Sequence, residues 1–425
     1  MTTITLPYDK STLSADIDDS VDILKIDTNP IVPLEDPHKE FLLALKKPVQ
    51  SQSFEKLAIQ TKGDVIVLCS DHTRVDKKET VLPWILDELN FYGIPDERIS
   101  ILVALGTHVN PGLERILTEI GPAGKRVKVI PHDQDGEFID YGISTAGTHV
   151  LINKLIDSAD LLVMYSAVIH HYFAGYGGGR KIIMPGIASL ETIRQNHSLL
   201  WESVEDEGGR SPFAVSGILN RNPIHKDIAE NVEKILADRR HFSINTVLSP
   251  DKEFCCFYGG NIFDAHHESR KVADELYQVE LPAKADVVIA ASGGFPKDLN
   301  LVQAHKGMDN AVRALKPGGT LIYAMGCVNG SGNPAVEEFA PLSLGECKKK
   351  LVEKFIINGA SVHSMKLKCR DYRIIAISML DRTIQEQIGM EPVEDLTGAL
   401  EMTGDLAGKS VYYIPRSDLI VSRVE

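Results

Sequence analysis

The sequence lacks several features that would assign the protein to a common class. No apolar run approaches the roughly 18 to 20 residues that span a bilayer, so no transmembrane helix is expected. The first residues, MTTITLPYDK, contain neither a basic nor an apolar segment, and no signal peptide is expected. The six cysteines include no C-x-x-C pair, which disfavours a zinc knuckle or a disulfide framework and favours reduced thiols in the cytoplasm.

Basic residues are also too few for a broad anion-binding surface. Lysine and arginine number 45 against 59 aspartates and glutamates, which leaves a formal net charge of −14. Nucleic acid and anionic membranes are repelled at long range by such a charge, so neither is an expected partner. Any site for an anionic small molecule must therefore be local.

What the sequence does contain is a repeated alternation of apolar strands and amphipathic helices. Buried-type strands are predicted at 64–69, 99–105, 127–130 and 161–169, and a second α/β series begins near residue 281. The pattern predicts two α/β domains with mostly parallel sheets flanked by helices, over residues 1–278 and 279–425. We expect the active site in the interdomain cleft, because two-domain proteins commonly bind small molecules there.

Polar side chains follow the predicted strands at the points where the strands end. Asp71 and Arg74 come after the first strand, His108 after the second and His171 after the fourth. Ligands of parallel α/β sheets bind beyond the carboxyl ends of the strands, so these residues are predicted to converge. Two histidines there suit a pair of general acid/bases. Arg74 is expected either to bind a substrate carboxylate or to form an internal ion pair with Asp71.

A glycine-rich loop follows the fourth strand, with the sequence GYGGGRK (175–181). It is not a Walker A motif, because Arg180 separates the last glycine from Lys181 and Ile182 replaces the magnesium-binding hydroxyl. The loop is predicted either to hold a phosphate or cofactor or to be a structural turn. Lys181 borders an apolar run, which leaves a nucleophilic amine and a solvated lysine as alternatives.

His197 lies on the apolar face of the helix predicted after this loop, where either a core histidine or a metal ligand is expected. In the second domain, Gln303 and Lys306 lie one helical turn apart beside Val302. They follow a Gly-Gly-Phe-Pro loop at a strand end, so the C-terminal domain is predicted to close over the substrate.

Together these motifs resemble those of the nickel-pincer lactate racemase family. The resemblance extends along nearly the whole chain and rests on HHYFAGYGGGRK (170–181), DHTR (71–74), GTH (106–108), His197 and GGFPKDLNLVQ (293–303). It implies a racemase or epimerase of 2-hydroxy acids that works by reversible hydride transfer. It also implies a nickel-pincer nucleotide, a pyridinium mononucleotide whose thioamide and thiocarboxylate groups bind nickel, and cofactor-biosynthesis enzymes as partners.

The resemblance also implies a role for each matching residue. Lys181 is the covalent tether of the cofactor, and His197 is the nickel ligand, in keeping with the preference of nickel for sulfur and imidazole. His108 and His171 are the catalytic acid/bases. The cofactor's nucleotide part is held by Asp71, Thr73, Gly177, Gly178, Gly179 and Arg180. The substrate is bound by Arg74, Val302, Gln303 and Lys306.

This chain departs from the family pattern in the substrate pocket. Val302 stands where lactate-selective members of the family have a tyrosine. Those members also have a tryptophan in the second domain, and this chain has no tryptophan after Trp201. The substrate is therefore lactate, another aliphatic 2-hydroxy acid, malate or a sugar acid. Two other classes of function are alternatives. One is a non-catalytic nucleotide- or sugar-acid-binding protein, and the other is a zinc hydrolase built on His170, His171 and His197, which has no H-E-x-x-H motif.

Overall fold

A computed structural model of the protein describes residues 1–201 and 210–424. Its contacts divide the chain into two compact units. The central unit comprises residues 30–200 and 211–276. The terminal unit comprises residues 1–29 and 277–424 together with Trp201 and Arg210.

Residues 1–29 form three strands of the terminal unit, namely β1 (Thr2–Tyr8), β2 (Ser11–Ile17) and β3 (Ile23–Lys25). The predicted domain division placed these residues with the central part of the chain, and the structure differs. The physical reason is pairing: β3 adds a parallel strand to the C-terminal sheet, and the Asp9 N–H donates to the Asp298 carboxylate at 2.8 Å. β1 and β2 form a hairpin, as their alternating pattern predicts.

The central unit is an α/β structure. Its helices and strands, in chain order, are α1 (Pro37–Lys46), α2 (Phe54–Gln60), β4 (Asp64–Ser70), α3 (Lys78–Phe91), β5 (Ile99–Ala104), α4 (Leu113–Ile120), β6 (Lys128–Pro131), β7 (Phe138–Ile143), β8 (His149–Asn153), β9 (Ala159–Ala167), β10 (His170–His171), β11 (Gly175–Tyr176), α5 (Leu190–Ser198), α6 (Pro223–Leu236), β12 (His241–Leu248), β13 (Phe254–Gly260) and α7 (Ile262–Tyr277).

Six of these strands form one sheet in the order β13-β12-β9-β4-β5-β6, and only β13 is antiparallel to its neighbour. β4 lies at its centre and is buried from Val65 to Cys69, because helices cover both faces of a parallel sheet. The hairpin β7–β8 was not predicted from the sequence. Its strand β7 has no fully buried residue and so carries no clear apolar alternation.

The remaining elements of the terminal unit are β14 (Gln278–Leu281), β15 (Ala285–Ala291), α8 (Leu301–Ala311), β16 (Leu315–Ala324), α9 (Pro334–Phe339), α10 (Leu344–Glu353), α11 (Ile357–Asp371), β17 (Arg373–Ile377), α12 (Arg382–Ile388), β18 (Glu391–Val393), α13 (Leu396–Thr403), β19 (Val411–Ile414) and β20 (Val421–Val424). The sheet has the order β18-β17-β16-β15-β19-β3 and is parallel throughout. The predicted fold class, α/β with mostly parallel sheets flanked by helices, is confirmed.

Helices α10 and α11 are separated by a short extended segment. The chain becomes extended at Lys354, with φ −152° and ψ 113°, and helix α11 then starts at Ile357. All six cysteines are free thiols, and the adjacent Cys255 and Cys256 are buried in β13. Within residues 1–201 and 210–424, no helix is long and apolar enough to span a membrane.

The packing of α3 under the central sheet supports a stability prediction. Leu82 is fully buried in that core, whereas Leu113 on α4 is 49% exposed. We expect Leu82→Ala to lower the free energy of unfolding by about 2–5 kcal/mol, because it leaves a cavity. The matched variant Leu113→Ala should change it by about 0.5 kcal/mol or less. Urea denaturation measures both, and equal losses would contradict this account of the core.

Candidate active site

Three adjacent parallel strands of the central sheet bring the polar loops to one edge. β9, β4 and β5 are neighbours, and their carboxyl ends lead into the loops that carry His171, Asp71 and His108. Gly106 turns the chain after β5 with φ +54°, and its N–H donates to the Gly186 carbonyl at 2.9 Å. The residues predicted at these strand ends therefore lie at the same edge of one sheet.

Asp71 and His108 form a hydrogen-bonded pair. Nδ1 of His108 bonds to one carboxylate oxygen of Asp71, and the N–H and hydroxyl of Thr73 both donate to the other oxygen at 2.7 Å. Burial alone raises the pKa of Asp71, but the hydrogen bond and charge of His108 hold that pKa below its usual range. The carboxylate therefore keeps the proton of a neutral His108 on Nδ1 and leaves the lone pair on Nε2.

The loop after β4 is anchored by a buried ion pair that sequence reasoning missed. Lys78 is 3% exposed, and its Nζ lies 2.6 Å from the carboxylate of Asp76. The same Nζ donates to the backbone carbonyls of Asp71 at 3.0 Å and Arg74 at 3.2 Å. The side chain of Arg74 is exposed, while the Asp71 carboxylate is engaged by His108 and Thr73. Only the unusual burial of a lysine at a helix start marks Lys78, and a sequence does not reveal burial.

The glycine-rich loop is shaped largely by its own packing. Gly175 and Gly178 have positive φ, and a Cβ on either would lie 2.4 Å from the Ile218 carbonyl oxygen or 2.6 Å from that of Ala167. A Cβ on Gly179 would meet the His266 ring. At Gly177, by contrast, a Cβ would make only ordinary contacts with Ile169, at 3.6 Å or more. The structural-turn alternative thus explains three glycines and leaves Gly177 unexplained by packing.

Arg180 points into the protein and not toward Lys181. It is 1% exposed, donates to the Ala174 carbonyl at 3.3 Å and lies against the His266 ring. Burial, and then the nearby charge of Arg270, lowers the pKa of Arg180 to about 9. The buried Arg180 side chain therefore supports the loop through its hydrogen bond to Ala174.

Three predicted site residues surround a single aromatic ring, that of Phe173. The ring centroid lies 4.5 Å from that of His171, 4.9 Å from that of His197 and 5.5 Å from Nζ of Lys181. Phe173 was not singled out from the sequence, although it stands in the middle of HHYFAGYGGGRK. The structure therefore brings a histidine before the glycines, the lysine after them and the histidine of α5 to one place.

The two adjacent histidines point to different partners. Nδ1 of His171 accepts from the backbone N–H groups of Phe173 at 3.5 Å and Ala174 at 3.3 Å, so a neutral His171 carries its proton on Nε2. His170 instead bonds through Nε2 to Asp274 at 2.9 Å, and that carboxylate also accepts from the Tyr176 hydroxyl. His170 thus contributes to holding the loop.

His197 is buried in α5 and electrically neutral. Burial, followed by the charge of Lys181, lowers the pKa of His197 to about 3. Neutral imidazole is the form that binds a metal. Among the residues that the structure describes, no three His, Cys, Asp or Glu side chains lie close enough to hold a metal ion together. A metal at His197 would therefore need further ligands from a bound group, which disfavours the zinc hydrolase alternative.

The remaining predicted residues lie on α8 of the terminal unit, after the carboxyl end of β15. The Asn300 side chain caps this helix by accepting from the Gln303 N–H at 3.0 Å. Nζ of Lys306 donates to Oε1 of Gln303 at 2.7 Å, and Val302 is half-buried against the core of this unit. The two polar side chains thus act as a bonded pair one helical turn apart.

Known proteins resemble this chain in both of its parts. A family model described as the lactate racemase N-terminal domain matches residues 8–209, and one described as the lactate racemase C-terminal domain matches residues 281–417. The lactate racemase of Lactiplantibacillus plantarum is 35% identical over 342 residues, covering 78% of this chain and 76% of that protein. That of Thermoanaerobacterium thermosaccharolyticum is 32% identical over 337 residues, with the same coverages.

Solved structures agree with the sequence matches. The lactate racemase apoprotein from Thermoanaerobacterium thermosaccharolyticum has a TM-score of 0.88 at 26% identity and covers 99% of this chain and 100% of that chain. A protein from Thermotoga maritima has a TM-score of 0.66 at 17% identity over 87% and 96%, which indicates a shared fold alone. The matching domain models and the curated relatives together show that this chain belongs to the lactate racemase family and is an isomerase.

Proposed function

We propose that the protein is a nickel-dependent racemase or epimerase of a 2-hydroxy acid. The observation that carries this proposal is the grouping of His171, Lys181 and His197 around Phe173. A histidine cannot remove the α-hydrogen of an ionised 2-hydroxy acid as a proton, because that hydrogen is too weakly acidic. The reaction therefore needs a group that takes the hydrogen as hydride, together with protein side chains that move the hydroxyl proton.

The residues around Phe173 fit a nickel-pincer nucleotide. Lys181 offers an amine for the covalent tether, and the neutral imidazole of His197 offers one nickel ligand. The absence of a three-residue metal cluster in the described ranges suits a metal whose other ligands belong to the cofactor. When bound, the nucleotide supplies an electron-poor ring that takes up hydride and returns it.

The nucleotide part of the cofactor is assigned to the loops at the sheet edge. The backbone of Gly177 to Gly179 and the hydroxyl of Thr73 are the proposed contacts, and the bare Cα of Gly177 leaves room for a close approach. Asp71 supports this part of the site through His108 and Thr73, to which its carboxylate is bonded. Arg180 contributes by bracing the loop.

His108 and His171 are assigned as the acid/base pair because both are bonded to the protein through Nδ1, which makes Nε2 the proposed site of proton transfer. With Nδ1 of His108 bonded to Asp71, its Nε2 lone pair takes the substrate's hydroxyl proton. His171, whose Nδ1 lies near two backbone N–H groups, acts as the acid in its imidazolium form, which delivers a proton to the substrate oxygen and is left neutral. A racemase needs one base and one acid at once, since the proton leaves one enantiomer and is supplied to the other.

The substrate's carboxylate is assigned to the exposed guanidinium of Arg74 and to Lys306, whose ammonium is held by Gln303. Val302, one residue before Gln303, is the proposed wall of the pocket. Valine leaves more room than a tyrosine would. The larger pocket favours malate, a sugar acid or an aliphatic 2-hydroxy acid that is longer than lactate. The isomerase relatives favour catalysis over the alternative of a non-catalytic binding protein.

A covalently attached cofactor also implies other proteins that make it. We infer that enzymes of cofactor biosynthesis act before this protein, because its own residues do not account for a thioamide-forming step. The proposed compartment is the cytoplasm, which suits six free thiols.

Lys181→Ala tests the tether. After co-expression with cofactor-making enzymes, the variant should show no added mass on the protein and should lose its bound nickel, because the covalent link is gone. Intact-mass spectrometry and metal analysis measure both quantities. Lys154→Ala, at an exposed lysine of the same unit, is the control and should retain both. Full nickel content in Lys181→Ala would rule the tether out.

Asp71→Asn tests the tautomer assignment of His108. The amide keeps the shape of the carboxylate but can donate to Nδ1, which moves the lone pair away from Nε2. We expect kcat to fall by about 10²- to 10⁴-fold, the usual contribution of a general base, with the cofactor mass retained. Asp251→Asn, in an exposed turn, should leave kcat unchanged. Unaltered turnover in Asp71→Asn would refute the role.

Val302→Tyr tests the pocket wall. The larger ring should lower kcat/KM for longer acids and shift the preference toward lactate by about 10- to 200-fold, the range that one or a few carbon groups give in a pocket. A chirality-resolved panel of 2-hydroxy acids measures the ratio. Val302→Ile is the conservative control and should shift the preference far less. The same preference in all three proteins would place specificity elsewhere.

A further inference from the structure

The buried His197 of α5 is hydrogen-bonded to a second buried polar side chain, which is bonded in turn to a third. Asn196, its neighbour in the same helix, is 1% exposed, and Asp227 on α6 is also 1% exposed. Neither residue belongs to the site assigned above. Their burial calls for a physical explanation, because an amide or carboxylate removed from water costs free energy unless its hydrogen bonds are made.

The buried carboxylate of Asp227 accepts hydrogen bonds from four neutral side chains in three segments of the central unit. Its carboxylate accepts from the hydroxyls of Ser144, after β7, and Thr148, before β8, the latter at 2.8 Å. It also accepts from Nδ2 of Asn231 at 3.1 Å and from Nδ2 of Asn196 at 2.8 Å. No lysine or arginine of the described ranges forms an ion pair with it. The carboxylate is therefore a fixed acceptor whose position is set by α5, α6 and the β7–β8 hairpin.

This acceptor fixes which way the Asn196 amide faces. Nδ2 of Asn196 donates to Asp227 and also lies 3.3 Å from the backbone carbonyl of Ile224. Both partners can only accept, so a flipped amide would place Oδ1 against two oxygens. Oδ1 must consequently face the other way, where it lies 3.1 Å from Nδ1 of His197.

The amide in turn fixes the tautomer of the imidazole. A carbonyl oxygen can only accept, so Nδ1 of His197 must carry the proton. The lone pair of the neutral ring then lies on Nε2, and Nε2 is the ring atom available to bind a metal.

We propose that Asp227 and Asn196 form a relay that holds His197 in the one tautomer able to bind nickel through Nε2. Both are positioning residues, because they act through His197. Metal-bound histidines commonly donate their second N–H to a carboxylate or carbonyl, which orients the ring and raises the basicity of the ligand atom. Here an amide stands between the imidazole and the carboxylate. The relay rests on the proposed nickel site for its function, but its geometry exists in the protein without the cofactor.

The first test reads the tautomer directly in the cofactor-free protein. Long-range ¹H–¹⁵N NMR of histidine-labelled protein should show His197 with its proton on Nδ1. Asn196→Ala should raise the population of the other tautomer, because the amide acceptor of Nδ1 is gone and only the backbone carbonyl of Ile193 still accepts from the ring. Asn231→Ala is the matched control: it removes another buried amide bonded to the same carboxylate, without a contact to His197. It should leave the tautomer unchanged.

The second test measures nickel in the loaded protein. Asn196→Ala should release nickel to a chelator about 10- to 100-fold faster than the unmodified protein, the usual effect of losing such an outer hydrogen bond, while the mass added at Lys181 stays. Asn231→Ala should release nickel at the unmodified rate. Asp227→Asn, which preserves the side-chain volume, should act in the same direction as Asn196→Ala.

The outcomes separate this inference from the proposed function. If Asn196→Ala and Asp227→Asn both keep the Nδ1 proton on His197 and the unmodified rate of nickel release, the relay is overturned. If the unmodified protein never acquires nickel or added mass on Lys181, the proposed function fails, and the tautomer measurement still decides whether the relay exists. A gain of the other tautomer in Asn231→Ala as well would also overturn the relay, because the effect would then follow general loosening of the buried network.

Discussion

The chemistry of this site depends on hydrogen bonds that commit the Nδ1 atom of each functional imidazole. A carboxylate holds Nδ1 of His108, backbone N–H groups approach Nδ1 of His171, and an amide oxygen faces Nδ1 of His197. In every case Nε2 is the nitrogen to which we assign the chemistry, and its state in the neutral ring differs: a lone pair on His108 and His197 and a proton on His171. These differences come from the neighbours of each ring, and they underlie the separate roles that we propose for the three residues.

The sheet explains how those neighbours are held. β4, β5 and β9 are adjacent and parallel, so their loops leave from one edge, and the buried pair of Lys78 and Asp76 fixes the loop carrying Asp71. An unpaired buried charge costs free energy, and the ion pair between Lys78 and Asp76 offsets this cost. Such rigidity suits the proton transfer that we propose, because a proton can pass between Nε2 and substrate only over a narrow range of distances.

The glycines of the glycine-rich loop fall into two groups. Gly175, Gly178 and Gly179 are required by packing against backbone or ring atoms of the protein, whereas Gly177 is not. The loop brings His171 and Lys181 to the ring of Phe173. Helix α5, which follows the loop in the chain, brings His197 to the same ring. The loop thus places Lys181 near two histidines, and Gly177 has room for the contact with the cofactor that we propose.

The fold class and most of the strands could be predicted from the sequence, because apolar runs such as Val65 to Cys69 are recognisable wherever a strand is buried on both faces. Its motifs also identified the family. It did not place residues 1–29, since β3 joins a sheet whose other strands lie beyond residue 284. Nor did it reveal Phe173, Lys78, Asn196 or Asp227, whose importance lies in contacts between segments distant in the chain. Tertiary structure alone decided the tautomers, because a hydrogen-bond partner is a matter of three-dimensional position and not of spacing along the chain.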